Sequence, residues 1–183
     1  WESSVLTIVS IIQVFLVSMI LGIYVFGLKI GSSPFDLIRN LEENIGLPWT
    51  EMANYLLVVP QFLDGRGLNP LLQNYWMVIH PPVLFLGFSL TMIPFTYVIA
   101  ALWKKNYTKW IKQSLPWTYA AIMVLGTGIL MGGAWAYEAL SFGGFWAWDP
   151  VENSSLVPWI ILVAAAHLML VYKNKKIALP TTM

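Results

Sequence analysis

No cysteine occurs in these 183 residues, and only two histidines do. The first absence excludes disulfides, thiolate metal sites and cysteine nucleophiles. Charge is scarce as well, at 10% of residues against 58% hydrophobic, which lies far outside the composition of a soluble domain. Glycine-rich phosphate loops, serine triads and metal-hydrolase motifs are all missing, so nucleotide-driven and hydrolytic chemistry is not expected. The first apolar run has no basic segment before it and no small-residue cleavage site, so it does not read as a signal peptide. The net charge of +1 is uninformative by itself, and no nucleic-acid partner is expected.

What the chain has instead is long apolar runs and tryptophan, 10 of them. Val5 to Leu28 is uncharged and long enough to cross a bilayer core of about 30 Å. Similar runs at 75–103, 115–140 and 156–172 give an all-α polytopic membrane protein with four transmembrane helices. The expected division is a first helix within 1–28, a loop at 29–74, a second helix at 75–103 and a short connection at 104–114. A third helix at 115–140, an aromatic loop with a short interfacial helix at 141–155, a fourth helix at 156–172 and a tail at 173–183 complete it. Trp1 is not an initiator methionine, and Thr181–Thr182–Met183 adds no closing element; a segment of a longer polytopic protein is the expectation.

Charge sets the orientation. Lys104, Lys105, Lys109 and Lys112 lie between the second and third helices, and Lys173, Lys175 and Lys176 follow the fourth. The loop at 29–74 is acidic on balance, with Asp36, Glu42, Glu43, Glu51 and Asp64, and the aromatic loop carries Asp149 and Glu152 beside Glu138. By the positive-inside rule both lysine clusters are cytoplasmic and both long loops face outward. The first of these loops is punctuated by Pro34, Pro48, Pro60 and Pro70, yet Leu37, Ile38, Leu41, Leu56, Leu57, Val58 and Val59 call for burial, so it reads as ordered.

Two helix starts are expected to look alike. His80–Pro81–Pro82 would place proline in the first helical positions, where a missing N–H costs nothing. Asp149–Pro150–Val151–Glu152 has an N-cap acid, proline first and glutamate third, the pattern of a capping box. Pro158 then falls inside, and a bend there is expected to separate a short interfacial helix from the fourth span.

Between Trp135 and Asp149 stand Tyr137, Phe142, Phe145, Trp146 and Trp148 around Gly143–Gly144. Rings at this density build either an interface belt or a platform for a flat ligand, and a belt contributes one or two rings per helix end. His80 sits on the same outer side, either as a cap or interfacial hydrogen-bonding residue or as a ligand. His167 is about eleven residues into the fourth span, near the bilayer midplane, where ionisable groups are costly and functional. It is either a neutral histidine bonded to a neighbouring helix, a haem axial ligand or a proton-relay site. Asp149 and Glu152 are explained by capping without catalysis. Gly126, Gly128, Gly132 and Gly133 suit close helix packing. A porphyrin would find a flat apolar face in the aromatic loop, an imidazole in His80 and a cation for a propionate in Arg66.

The run Gly133–Ala134–Trp135–Ala136–Tyr137–Glu138, then Gly143–Gly144–Phe145–Trp146–Ala147–Trp148–Asp149–Pro150–Val151–Glu152–Asn153, resembles the tryptophan-rich WWD signature of the haem-handling membrane proteins of cytochrome c maturation. With Leu68–Asn69–Pro70–Leu71–Leu72–Gln73 and His80–Pro81–Pro82, it is similar to the CcmF/NrfE branch, the haem lyase subunit, more than to the CcmC and CcsA branches. Ser141–Phe142 and Phe145 stand where that family is richer in tryptophan. The resemblance implies an outer-face haem site at His80, Trp135, Trp146, Trp148 and Asp149, and an intramembrane haem b with His167 as axial ligand. It implies histidine partners for both outside this segment. It further implies a bacterial inner membrane with the WWD loop in the periplasm, and a haem chaperone, apocytochrome c and other maturation-complex subunits as partners beside membrane lipid. The function so implied is delivery and attachment of haem to apocytochrome c. A CcsA-type exporter and synthase, or a membrane cytochrome b electron-transfer subunit, is the alternative.

Overall fold

Among the described residues of the computed structural model, four helices are long and apolar enough to cross a membrane, so the mostly helical, membrane-spanning class expected from composition is what forms, with one β-hairpin added. Residues 1–64, 67–140 and 144–175 are described, the side chain of Lys175 excepted. Helix α1 covers Glu2–Leu21. A hairpin of β1, Ile23–Val25, and β2, Leu28–Ile30, follows. The short helices α2, Tyr55–Val58, and α3, Pro60–Leu63, precede the long α4, Trp76–Trp103. Then come α5, Lys109–Ala139, and α6, Pro150–Lys175. The chain forms two units, one of Trp1–Val9 with the chain from Pro70 onward, the other of Ser10–Asn69.

In the second unit the uncharged run continues to Leu28, but the helix stops at Leu21. Gly22 takes a left-handed φ of +65°, the conformation that ends helices. Ile23, Tyr24 and Val25 are β-branched or aromatic and pair antiparallel with Leu28–Ile30. Phe26 and Gly27, at φ +49° and +83°, make the two-residue turn that matches strand twist. The segment beyond packs around a different core from the one expected. Trp49, Tyr55 and Phe62 cluster at centroid distances of 5.0–5.7 Å, with the Arg39 guanidinium over Tyr55. Leu37, Ile38, Leu56, Leu57 and Val58, expected to be buried, are exposed, because the aromatic trio closes on itself.

The first unit is built on α4 and α5, packed antiparallel. Lys105 at φ +51° turns the chain between them. Asn106 N–H reaches Ala101 O at 2.9 Å and Lys105 N–H reaches Leu102 O at 3.1 Å, the two bonds of a Schellman stop with lysine in place of glycine. Near this end lies the core of Ala101, Trp110, Ile111, Leu115 and Met169, with Trp1 and Tyr97 against it. At the other end α4 starts at Trp76, four residues before His80. The expectation that His80–Pro81–Pro82 opens the helix is thereby corrected. Tyr75 caps it instead, with Asn74 Oδ1 just before accepting from Met77 N–H at 3.3 Å, so the prolines fall just past the first turn. Pro150 does open α6, as expected. That helix runs unbroken through Pro158, with no separate interfacial helix before it among the described residues, since one missing N–H removes a single ladder bond.

Candidate functional site

Along the α4–α5 seam the residues of one helix meet glycines of the other. A Cβ on Gly87 would lie 2.5 Å from Leu125 Cα, and one on Gly128 would lie 2.8 Å from Leu84 Cα. One turn on, a Cβ on Gly132 would lie 2.8 Å from His80 Cε1. Glycine lets backbones approach this closely, which is how helices associate where lipid removes the hydrophobic drive. His80 therefore rests flat against α5, with Nδ1 3.0 Å from Gly128 O. A carbonyl only accepts, so in the neutral ring Nδ1 carries the proton and Nε2 keeps its lone pair. Trp135 stands edge-on to the imidazole at 5.7 Å and 65°. A further turn toward the helix ends, Trp76 Nε1 donates to Glu138 Oε2 at 2.6 Å and ties the two helices above the histidine.

The aromatic loop is fixed from the start of α6. Asp149 Oδ1 accepts from Glu152 N–H at 2.7 Å, and Glu152 Oε2 accepts from Asp149 N–H at 3.2 Å. This is the capping box expected from the sequence. The same Oε2 also accepts from Ala147 N–H at 2.9 Å. Asn153 Nδ2 donates to Trp148 O at 2.9 Å and to Asp149 O at 3.0 Å. Phe145 lies on Gly133, where a Cβ would come within 2.6 Å of its ring. Trp159 lies on Gly126 in the same way and donates from Nε1 to Ile122 O at 2.9 Å.

Two cavities result. One of about 190 Å³ is lined by His80, Trp135, Trp146, Asp149 and Glu152 among others. The other, about 550 Å³ and almost wholly apolar, lies between α5 and α6 under Phe145, Trp146, Trp148 and Trp159. Trp146 belongs to both. Of the residues singled out from the sequence, His80, Trp135, Trp146 and Asp149 thus share one cleft, and Trp148 faces the adjoining cavity. The Nε1 atoms of Trp135 and Trp146 are buried with no hydrogen-bond partner among the described residues. Arg66, the candidate for a propionate, lies outside the described residues, as do Phe142 and Gly143 of the aromatic run. His167 stands apart on α6. It is exposed, and its Nδ1 is 2.8 Å from Val163 O of its own helix, so no neighbouring helix among the described residues holds it.

Sequence reasoning missed Trp76, Trp159 and Asn153. Trp159 was legible in principle, since Gly126 and Gly133 are spaced to seat rings on one face of α5. Asn153 gave no signal beyond its place at the end of Asp149–Pro150–Val151–Glu152–Asn153. Among the described residues no group of three His, Asp or Glu is placed to hold a metal ion. A lone imidazole suits a metal that brings its own planar ligand set.

The family model described as "Cytochrome C assembly protein" matches residues 2–182. The chain is 35% identical over 170 residues to the cytochrome c-type biogenesis protein CcmF of Pseudomonas aeruginosa, covering 86% of this chain and 26% of that one. It is 34% identical to CcmF of Escherichia coli over 78% of this chain and 24% of the relative. It is 38% identical to the cytochrome c-type biogenesis protein NrfE of Haemophilus influenzae over 60% and 18%. The chain spans about a quarter or less of the length of the curated relatives it matches. No solved structure matches it.

Proposed function

From the cytochrome c assembly protein family, to which this chain belongs, we propose a haem lyase subunit segment that binds haem as substrate in the His80 cleft and presents it to an apocytochrome c. The observation that carries the reading is the state of His80. Its Nδ1 is bonded to a backbone carbonyl, which orients the ring and leaves Nε2 free for iron, the arrangement common to metal-ligating histidines. Around it the donors and surfaces fit a porphyrin. Trp135 and Trp146 offer flat faces and buried N–H groups without partners among the described residues, Trp148 is exposed, and Arg66 is the cation we assign to a propionate. The Asp149 carboxylate is occupied in capping, so its part is to hold the loop that bears the tryptophans.

In the reaction so proposed, each substrate thiol adds across a vinyl group. The S–C bond forms at the carbon next to the ring, the thiol proton ends on the terminal carbon, and no net oxidation occurs. The chain's own residues contribute position and exclusion of water. His167 would hold a separate haem b as resident cofactor, supplying electrons that keep substrate iron reduced. Its exposed ring, with Nδ1 already bonded to Val163 O, leaves Nε2 open for that ligation. Haem would arrive from a chaperone at the periplasmic face of a bacterial inner membrane, the orientation that the lysine clusters favour.

The test is the visible spectrum of the full-length protein purified in detergent, with each histidine replaced in turn. His167→Ala should abolish the resident b-type band, while His80→Ala should abolish cytochrome c maturation and leave that band. A wild type without haem, or maturation that survives His80→Ala, would sink the reading.

A further inference from the structure

Trp148 has φ +57°, a left-handed conformation in which the Cβ of a non-glycine residue crowds the backbone. The residue is 69% exposed, so the strain is not offset by burying it. Something else holds the residue there, and the bonds on either side show what. Glu152 Oε2 takes the N–H of Ala147 before it and the N–H of Asp149 after it, at 2.9 and 3.2 Å. Asn153 takes the carbonyl of Trp148 itself at 2.9 Å. One carboxylate and one amide therefore grip the backbone at three points around a single tryptophan. A plain capping box needs only the Asp149–Glu152 exchange; the bonds to Ala147 N–H and Trp148 O exceed it.

The consequence is directional. In this conformation Trp148 stands at 87° and 5.8 Å to Trp146, and both line the apolar cavity between α5 and α6. An extended or helical residue at this position would turn the ring elsewhere. We propose that Glu152 and Asn153 are positioning residues, which hold Trp148 left-handed so that the Trp146–Trp148 corner is presented to the haem. This rests on the haem reading of the site. It gives Glu152 a task other than proton transfer, although that side chain lines the His80 cleft: its oxygens accept from the N–H groups of Ala147 and Asp149.

The two tasks separate on substitution. In Glu152→Gln the amide oxygen can take both N–H groups in place of Oε2, so the grip survives without charge; in Glu152→Ala it is lost. The experiment uses the full-length protein in detergent, labelled with 5-fluorotryptophan, with the Trp148 resonance identified by Trp148→Phe. Haem affinity is measured in parallel by titration. Glu152→Ala should shift or broaden the Trp148 resonance and weaken haem about tenfold or more, the scale of losing an outer-shell support. Glu152→Gln should hold the resonance in place and keep affinity within about threefold. The resonances of Trp1 and Trp110, in the core at the far end of the bundle, should not move in either variant and report that the fold is intact. A wild type that takes up no haem overturns the haem reading by itself. An unmoved Trp148 resonance in Glu152→Ala, affinity that survives it, or a Gln variant as impaired as the Ala variant overturns the grip.

Discussion

Gly132 is where one hydrogen atom decides the site. Its missing Cβ leaves the His80 ring its seat, since a methyl there would lie 2.8 Å from Cε1. Real contacts are never that short, and His80 cannot retreat without lengthening its bond to Gly128 O, now 3.0 Å. Under the proposed haem reading, Gly132→Ala should therefore weaken haem roughly 10- to 100-fold, as lost orientation of a ligand does, while the b-type band proposed for His167 stays. Titration of haem into the purified variant checks this, and unchanged affinity would contradict the seat. The two histidines were legible from rarity alone in a chain so apolar. The Nδ1–carbonyl bond was not legible, because it depends on the register of α5 against α4, and four glycines within 126–133 allow more than one.

At the scale of the elements, the α4–α5 seam carries the site, and its tightest point is backbone against backbone. A Cβ on Gly87 would meet Leu125 Cα at 2.5 Å, so Gly87→Ala must push the helices apart and not merely turn a side chain. Overpacking of this kind costs about 1–3 kcal/mol. The thermal unfolding midpoint in detergent should fall, with haem uptake falling alongside, whereas an unchanged midpoint would show that the seam is looser than it is drawn. Helix existence followed from length and apolarity, and the start of α6 from Asp149, Pro150 and Glu152. The start of α4 did not follow. Two prolines suggest a first turn at 81–82, yet proline is also tolerated just past a helix start, and α4 begins at Trp76. The hairpin after Leu21 was hidden for another reason: an uncharged run of β-branched and aromatic residues specifies burial in lipid or pairing in a sheet equally well, and Gly22 decides between them.

For the whole molecule, topology can be mapped with single cysteines, since these 183 residues contain none and any elsewhere in the full-length protein can be replaced by serine. With Asp36→Cys and Lys105→Cys in the full-length protein, a membrane-impermeant maleimide should label the first in intact cells and the second only after permeabilisation. The reverse pattern would turn the aromatic loop toward the cytoplasm and remove it from any periplasmic reaction. That loop, the seam and the cap converge on one imidazole nitrogen, and the most direct test addresses that atom. In the full-length protein His80→Gly should lose haem from the outer cleft, and added imidazole should restore both the haem spectrum and cytochrome c maturation by occupying the vacated seat between Gly128 O and the iron. Haem bound in His80→Gly with an unaltered spectrum, before any imidazole is added, would contradict the account at its centre.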